Sequence, residues 1–320
     1  MLLTAVAALL IVTPVIGYRP RPDFKPNSSG LNLVDIKYHM GPVLTANITI
    51  HPIWYGPWRN SQKNIIRDFI NSISAVHSKN PSVAGWWKTV QLYTDRKGAN
   101  VSRTVLLGEE VNDRFYSHGK SLSRSSIQSV IKSAVTAAGM KRLPINSGSG
   151  LYLLLTSDDV YVQDFCTQIC AFHGFMLQPI VGYTRLLYAW VGNSAELCPE
   201  TCAFPFAVPE YMAGFKALKS PNGDVGVDGM ISLIGHEVAE LATDPLGNAW
   251  YGGQEMARVE IADMCEGIYG TRDDEPYTGS VLKGKDGATY NMNGIKRRYL
   301  VQWVWNHVVS DCTGPNALVK

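Results

Sequence analysis

Beyond its first residues the chain has no long apolar run, no cluster or stripe of lysine and arginine, no internal repeat and no low-complexity tract. These absences exclude function classes. A membrane-crossing helix needs ~20 consecutive apolar residues, so none is expected downstream of the N-terminal segment. A formal net charge of +2 without a basic patch excludes nucleic acid as a partner. A G-x-S-x-G elbow is also missing, so Ser157, Asp158 and Asp159 do not make a serine hydrolase. The last absence is more specific. GHEVAELATDP, residues 235–245, opens as a zinc-protease helix does with His236 and Glu237, but Glu240 stands where the second histidine belongs.

What is present points to export. Residues 1–17 form an uncharged apolar run closed by small residues and broken by Pro14, which reads as a secretory signal peptide cut near Gly17. Residues 18–40, rich in Pro, Asn and Ser, read as an extended arm, and no composition break divides residues 41–320. Asn27, Asn47 and Asn100 each begin an N-glycosylation sequon. The six cysteines fall as two C-x3-C pairs, Cys166 with Cys170 and Cys198 with Cys202, plus Cys265 and Cys312. An oxidising compartment favours three disulfides, with the two C-x3-C segments cross-linked and Cys265 joined to Cys312. Spacing leaves the partners inside the first group open, and a zinc site of those four thiolates is the rival reading. With 46% hydrophobic residues, the roughly 300 residues left after cleavage can bury one large core or two moderate ones.

Residues 43–55 alternate apolar and polar side chains and read as a strand ending at Gly56 and Pro57. Ile65, Ile66, Phe69, Ile70, Ile73 and Val76 predict a helix from Ser61, and Ile127 to Ala138 predict another that Ser123 caps and Gly139 ends. Residues 86–94, 101–111, 151–157 and 185–193 read as strands. This order predicts an α/β (α+β) domain with one mixed sheet and helices packed on it. Trp54, Tyr55, Trp58, Trp86 and Trp87 read as core rather than a sugar-stacking platform, and His51 as structural. The GEEV and RDDE carboxylates read as solvated loops. His118 and His173 each precede a glycine, and nothing in their spacing links them to the GHEVAELATDP helix.

That helix is expected to start at Asp228 or Gly229 and to stop before Pro245. Ile231, Ile234, Val238, Leu241 and Ala242 fall on one side, and His236, Glu240 and Asp244 on the other, at four-residue intervals. His236 and Glu240 then supply two metal ligands from consecutive turns, Glu260 or Asp263 a third, and Glu237 the general base for a bound water. The ion would be one divalent cation, zinc before calcium or manganese. The bland alternative is the solvated face of an amphipathic helix.

MGPVLTANITIHPIWYGPW, SVAGWWKTVQLYTD, LGEEVNDRFYSHGKSL, TSDDVYVQDFC, YAWVGN, HEVAELATDP and RRYLVQWVW occur in this order, and together they resemble the EXORDIUM, or phosphate-induced-1, family of plants. The likeness runs from about Met40 to Cys312. His236, Glu237, Glu240, Thr243, Asp244, Pro245, Glu260, Asp263 and Cys265 stand at matching positions, while Ala171 replaces an expected glycine. The resemblance implies a secreted apoplast or cell-wall protein that promotes growth by cell expansion, with links to brassinosteroid and carbon status and no established reaction. Its partner would be an extracellular protein or a wall polysaccharide. The element order is also similar to zincin topology, which makes a metal-dependent hydrolase the alternative function.

Overall fold

The computed structural model describes residues 34–136, 142–178, 184–212, 214–254, 257–271 and 278–317. The expected signal peptide, Asn27, Ala138, Gly139 and the RDDE run lie outside them.

Ile48–Tyr55 (β1) is buried except at Thr49, a pattern that requires cover on both faces of a sheet. Val105–Leu107 (β2) and Val111–Asp113 (β3) pair parallel to it on one side, and Gly150–Thr156 (β4), buried throughout, on the other. Ala171–Gln178 (β5) forms the far edge, antiparallel to Thr184–Gly192 (β6), which runs parallel to β4. The main sheet is therefore mixed, as expected, but smaller sheets accompany it. One of them joins Lys37–Tyr38 to Trp250–Gln254, so the end of the N-terminal arm is docked. The single strand expected over 101–111 is split at Gly108, where a Cβ would lie 2.6 Å from the His51 ring. Ala171, in place of the expected glycine, is the buried first residue of β5.

Asn60–Ile73 (α1) buries the predicted stripe, but Val76 falls beyond its end and is exposed. Residues 86–94 are not a strand. Val83–Val90 (α2) is helical: Val83, Trp86, Trp87 and Val90 make a buried i, i+3, i+4, i+7 face, and Ser82 Oγ accepts the Gly85 N–H as its cap. The β-propensity of Trp, Val and Thr suggested strand, and the cap with the stripe overrides it. Trp86 and Trp87 donate their indole N–H groups to Gln302 O and Ser102 O, and Trp54 and Tyr55 are also fully buried. These aromatics are core. Arg124–Thr136 (α3) has Ser123 Oγ accepting the Ser126 N–H, as a cap should.

The disulfides are Cys166–Cys198, Cys170–Cys202 and Cys265–Cys312, which excludes the four-thiolate zinc site. The first two tie the start of β5 to the short helix Pro199–Cys202 (α4), which packs on Val225–Thr243 (α5). Among the described residues no helix is long and apolar enough to cross a membrane.

Helix α5 starts a turn earlier than expected. Asp224, not Asp228, is its N-cap, accepting the Val227 N–H. Asp228 is buried inside the first turn, where it accepts the N–H and the Nδ2 of Asn222. Burial outweighs these bonds and pushes its carboxyl up to about 6 from 3.8. A carboxyl raised on folding stabilises fully below its unfolded value and loses that contribution as pH rises through the folded one. Stability is therefore expected to fall by on the order of 3 kcal/mol from this group between pH 4 and pH 7. Urea titrations across that range should show a flatter dependence for Asp228→Asn; an unchanged slope would exclude Asp228 as its source.

Candidate metal centre

The polar row of α5 does not face water. Every residue from Gly226 to Thr243 is buried, so the solvated-face alternative fails. The helix packs on β5 and β6, while Glu260 to Cys265 cross its end and are held there by Cys265–Cys312. Strand β5 contributes His173, the 260–265 segment contributes Glu260 and Asp263, and α5 contributes His236, Glu237, Glu240 and Asp244. Apart from Asp263, whose side chain is 19% exposed, all are buried.

Two groups form inside this cluster, each with ligand atoms within 4.8 Å of one another, and they share only Glu240. In the first, His236 Nε2 lies 3.1 Å from Glu240 Oε2 and 3.4 Å from Asp263 Oδ1. Zinc bonds of ~2.0–2.1 Å at tetrahedral angles place ligand atoms about 3.3 Å apart, so these spacings fit one ion. In the second, His173 Nδ1 lies 2.9 Å from Glu237 Oε2 and 3.6 Å from Glu240 Oε2, with its Nε2 3.4 Å from Glu260 Oε2. Of the two candidates for a third ligand, Asp263 therefore approaches His236, and Glu260 approaches His173. Glu237, expected as a base, is engaged by the imidazole of His173.

Backbone groups fix the carboxylates. Glu240 Oε1 accepts the N–H groups of Ala262 and Asp263, Asp263 Oδ2 that of Glu260, and Asp244 Oδ1 those of Asn248 and Ala249. Each acid thus keeps one oxygen for the interior. Glu237 Oε1, Glu240 Oε2, Asp244 Oδ2 and Glu260 Oε1 are buried with no hydrogen-bond partner.

Charge is as unbalanced as hydrogen bonding. Five carboxylates (Glu237, Glu240, Asp244, Glu260, Asp263) face two imidazoles; the nearby Arg124 guanidinium, packed over Phe172, feels Asp164 first and Glu237 less. Burial, then Glu260, raises Asp244 to about 7; burial raises Glu260 to about 7 against the pull of His173; burial and Asp263 raise Glu240. For His173, burial is overcome by Glu260 and Glu237, and the ring is driven well above its ordinary value. At His236 burial is again opposed, chiefly by Glu240, which favours the charged ring. We weigh Gln302 more heavily there: its Nε2 lies 3.0 Å from Nδ1 and also donates to Ala262 O, so a second ring proton finds no acceptor.

The profile of the "Phosphate-induced protein 1 conserved region" matches residues 36–315, nearly the whole described structure. The chain belongs to this family. It is 65% identical to Protein EXORDIUM-like 3 of Arabidopsis thaliana over 99% of this chain and 98% of that protein. Identity is 48% to Protein EXORDIUM-like 5 of Arabidopsis thaliana, covering 98% and 88% of the two chains. It is 37% to Protein PHOSPHATE-INDUCED 1 of Nicotiana tabacum, covering 87% of each. No solved structure matches.

In this family member the sequence spacing located the candidate residues of α5 but not His173, sixty-three residues upstream of His236 on an edge strand. One signal was available: β5 is almost wholly apolar apart from His173, and a histidine inside such a strand needs polar partners. His118 is not in the cluster; its neighbour is Ser117, at the far end of β1. Asn47 and Asn100 are exposed, as glycosylation requires.

Proposed function

We propose that this chain is a secreted apoplast protein of the EXORDIUM family that promotes growth through an extracellular partner, and that a divalent ion, zinc before manganese or calcium, sits between His236, Glu240 and Asp263. One observation carries the ion: the fully buried Glu240 Oε2 lies at ligand spacing from His236 Nε2, which is itself at ligand spacing from Asp263. Such an ion would supply positive charge to a buried acidic cluster and tie α5 to the 260–265 segment.

Enclosure favours a structural ion. Catalytic zinc keeps a coordination position open to substrate, whereas His236 and Glu240 are 1% and 0% exposed. The zincin-like hydrolase reading keeps the support of three protein ligands and the adjacent Glu237, but here Glu237 faces His173 rather than an open cleft. The test is metal content per chain, by plasma mass spectrometry on protein secreted from plant cells. At least one equivalent, reduced in His236→Ala, is expected; wild-type protein without metal would end the ion-centred reading.

A further inference from the structure

We propose a second cation position on the β5 side of the same cluster, formed by His173 Nδ1, Glu237 and Glu240, so that Glu240 bridges two divalent ions. The proposal deepens the metal reading above and rests on it for the bridge.

Three independent features point to this position. The first is ligand geometry. The second group includes Glu240 Oε2, the same oxygen that faces His236, at 3.6 Å from His173 Nδ1. A carboxylate oxygen placed between two imidazoles in this way is the bridging arrangement of two-metal sites, whose ions sit ~3.5–4 Å apart.

The second is an outer partner for the ligand. Histidines that bind metals commonly direct their other ring N–H to a carboxylate, which sets the tautomer and the ring orientation. His173 Nε2 has Glu260 Oε2 at 3.4 Å, so Glu260 is a positioning residue for His173. His236 Nδ1 instead faces the Gln302 Nε2 donor, the opposite polarity.

The third is the set of orphaned oxygens. Glu237 Oε1 is buried without a partner and belongs to the His173 group alone, while Asp244 Oδ2 and Glu260 Oε1, equally unpartnered, border the cluster outside both groups. One divalent ion brings two positive charges against five carboxylates. A second ion brings two more, which leaves the cluster close to balance with both imidazoles neutral. Carboxylate-rich sites with a single imidazole suit manganese or zinc.

The experiment loads metal-free protein with Mn²⁺ alone and measures equivalents bound and the electron paramagnetic resonance spectrum. Wild type is expected to hold two ions with an exchange-coupled spectrum. His173→Ala and Asp263→Asn should each hold one uncoupled ion, and Glu240→Gln none. Glu260→Gln leaves every proposed ligand in place and should weaken one of the two positions about 10- to 100-fold. Near-UV circular dichroism identifies any variant that fails to fold, and Glu260→Gln then carries the test. One ion in wild type, unchanged in His173→Ala, overturns the second position and leaves the His236 reading standing. One ion that survives Asp263→Asn but is lost in His173→Ala overturns the His236 reading instead. No ion in wild type overturns both.

Discussion

Chelation is expected to lower the melting temperature of the protein by about 10 °C. A ligand that binds only the native state adds RT ln(1 + [L]/Kd), about 4 kcal/mol at a thousandfold excess over Kd. A domain of this size shifts by roughly 2–4 °C per kcal/mol. In the unfolded chain Asp263 is separated from His236 and Glu240 by more than twenty residues of disordered backbone, so an ion proposed between them would be held far more weakly there. Burial already holds Glu240, Asp244 and Glu260 above their ordinary values, so their negative charge is costly in the interior without a cation. Calorimetry with and without EDTA, followed by re-addition of Zn²⁺, reads the effect directly. Unchanged melting after verified metal removal would show that the cluster is held by hydrogen bonds alone.

Replacing both Cys265 and Cys312 by serine should destabilise the fold by about 4 kcal/mol, from the loop-closure entropy released to the unfolded chain. That bridge closes a separation of 47 residues. It also holds Glu260 and Asp263 against α5, so metal affinity should fall with stability. The matched control is Cys166→Ser with Cys198→Ser. Its bridge spans 32 residues, as does Cys170–Cys202, which still closes almost the same loop. The control should therefore lose less stability and keep its metal. Denaturant unfolding and metal titration on both pairs separate the two roles; equal loss of metal in both would mean that Cys265–Cys312 does not position Asp263.

Much of this was legible in the chain because it depends on near neighbours. The four-residue spacing of His236, Glu240 and Asp244 is set by helical pitch, and Pro245 stops the helix wherever the rest of the chain goes. The apolar runs of β4 and β6, the cap of α3 and the grouping of the cysteines are local features of the same kind. Helix α2 was misread because its propensities oppose its capping, and in eight residues the conflict is decided by the tertiary contacts of Trp86 and Trp87.

What only the tertiary structure decided is which distant side chains meet. His173 reaches Glu237 because β5 pairs antiparallel to β6 with His173 opposite Ala189, and α5 packs on both strands. A one-residue slip in that register would turn His173 to the other face of the sheet. Asp263 rather than Glu260 approaches His236 because the Ala262 and Asp263 N–H groups dock on Glu240. Pairing Cys166 with Cys198 and Cys170 with Cys202 likewise follows from the approach of α4 to the start of β5. Sequence alone determined which polar side chains one helix carries on the row of His236, since their spacing is intrinsic to the helix; the partners from the sheet edge and the C-terminal segment depend on register and docking, which are settled only when the whole core packs.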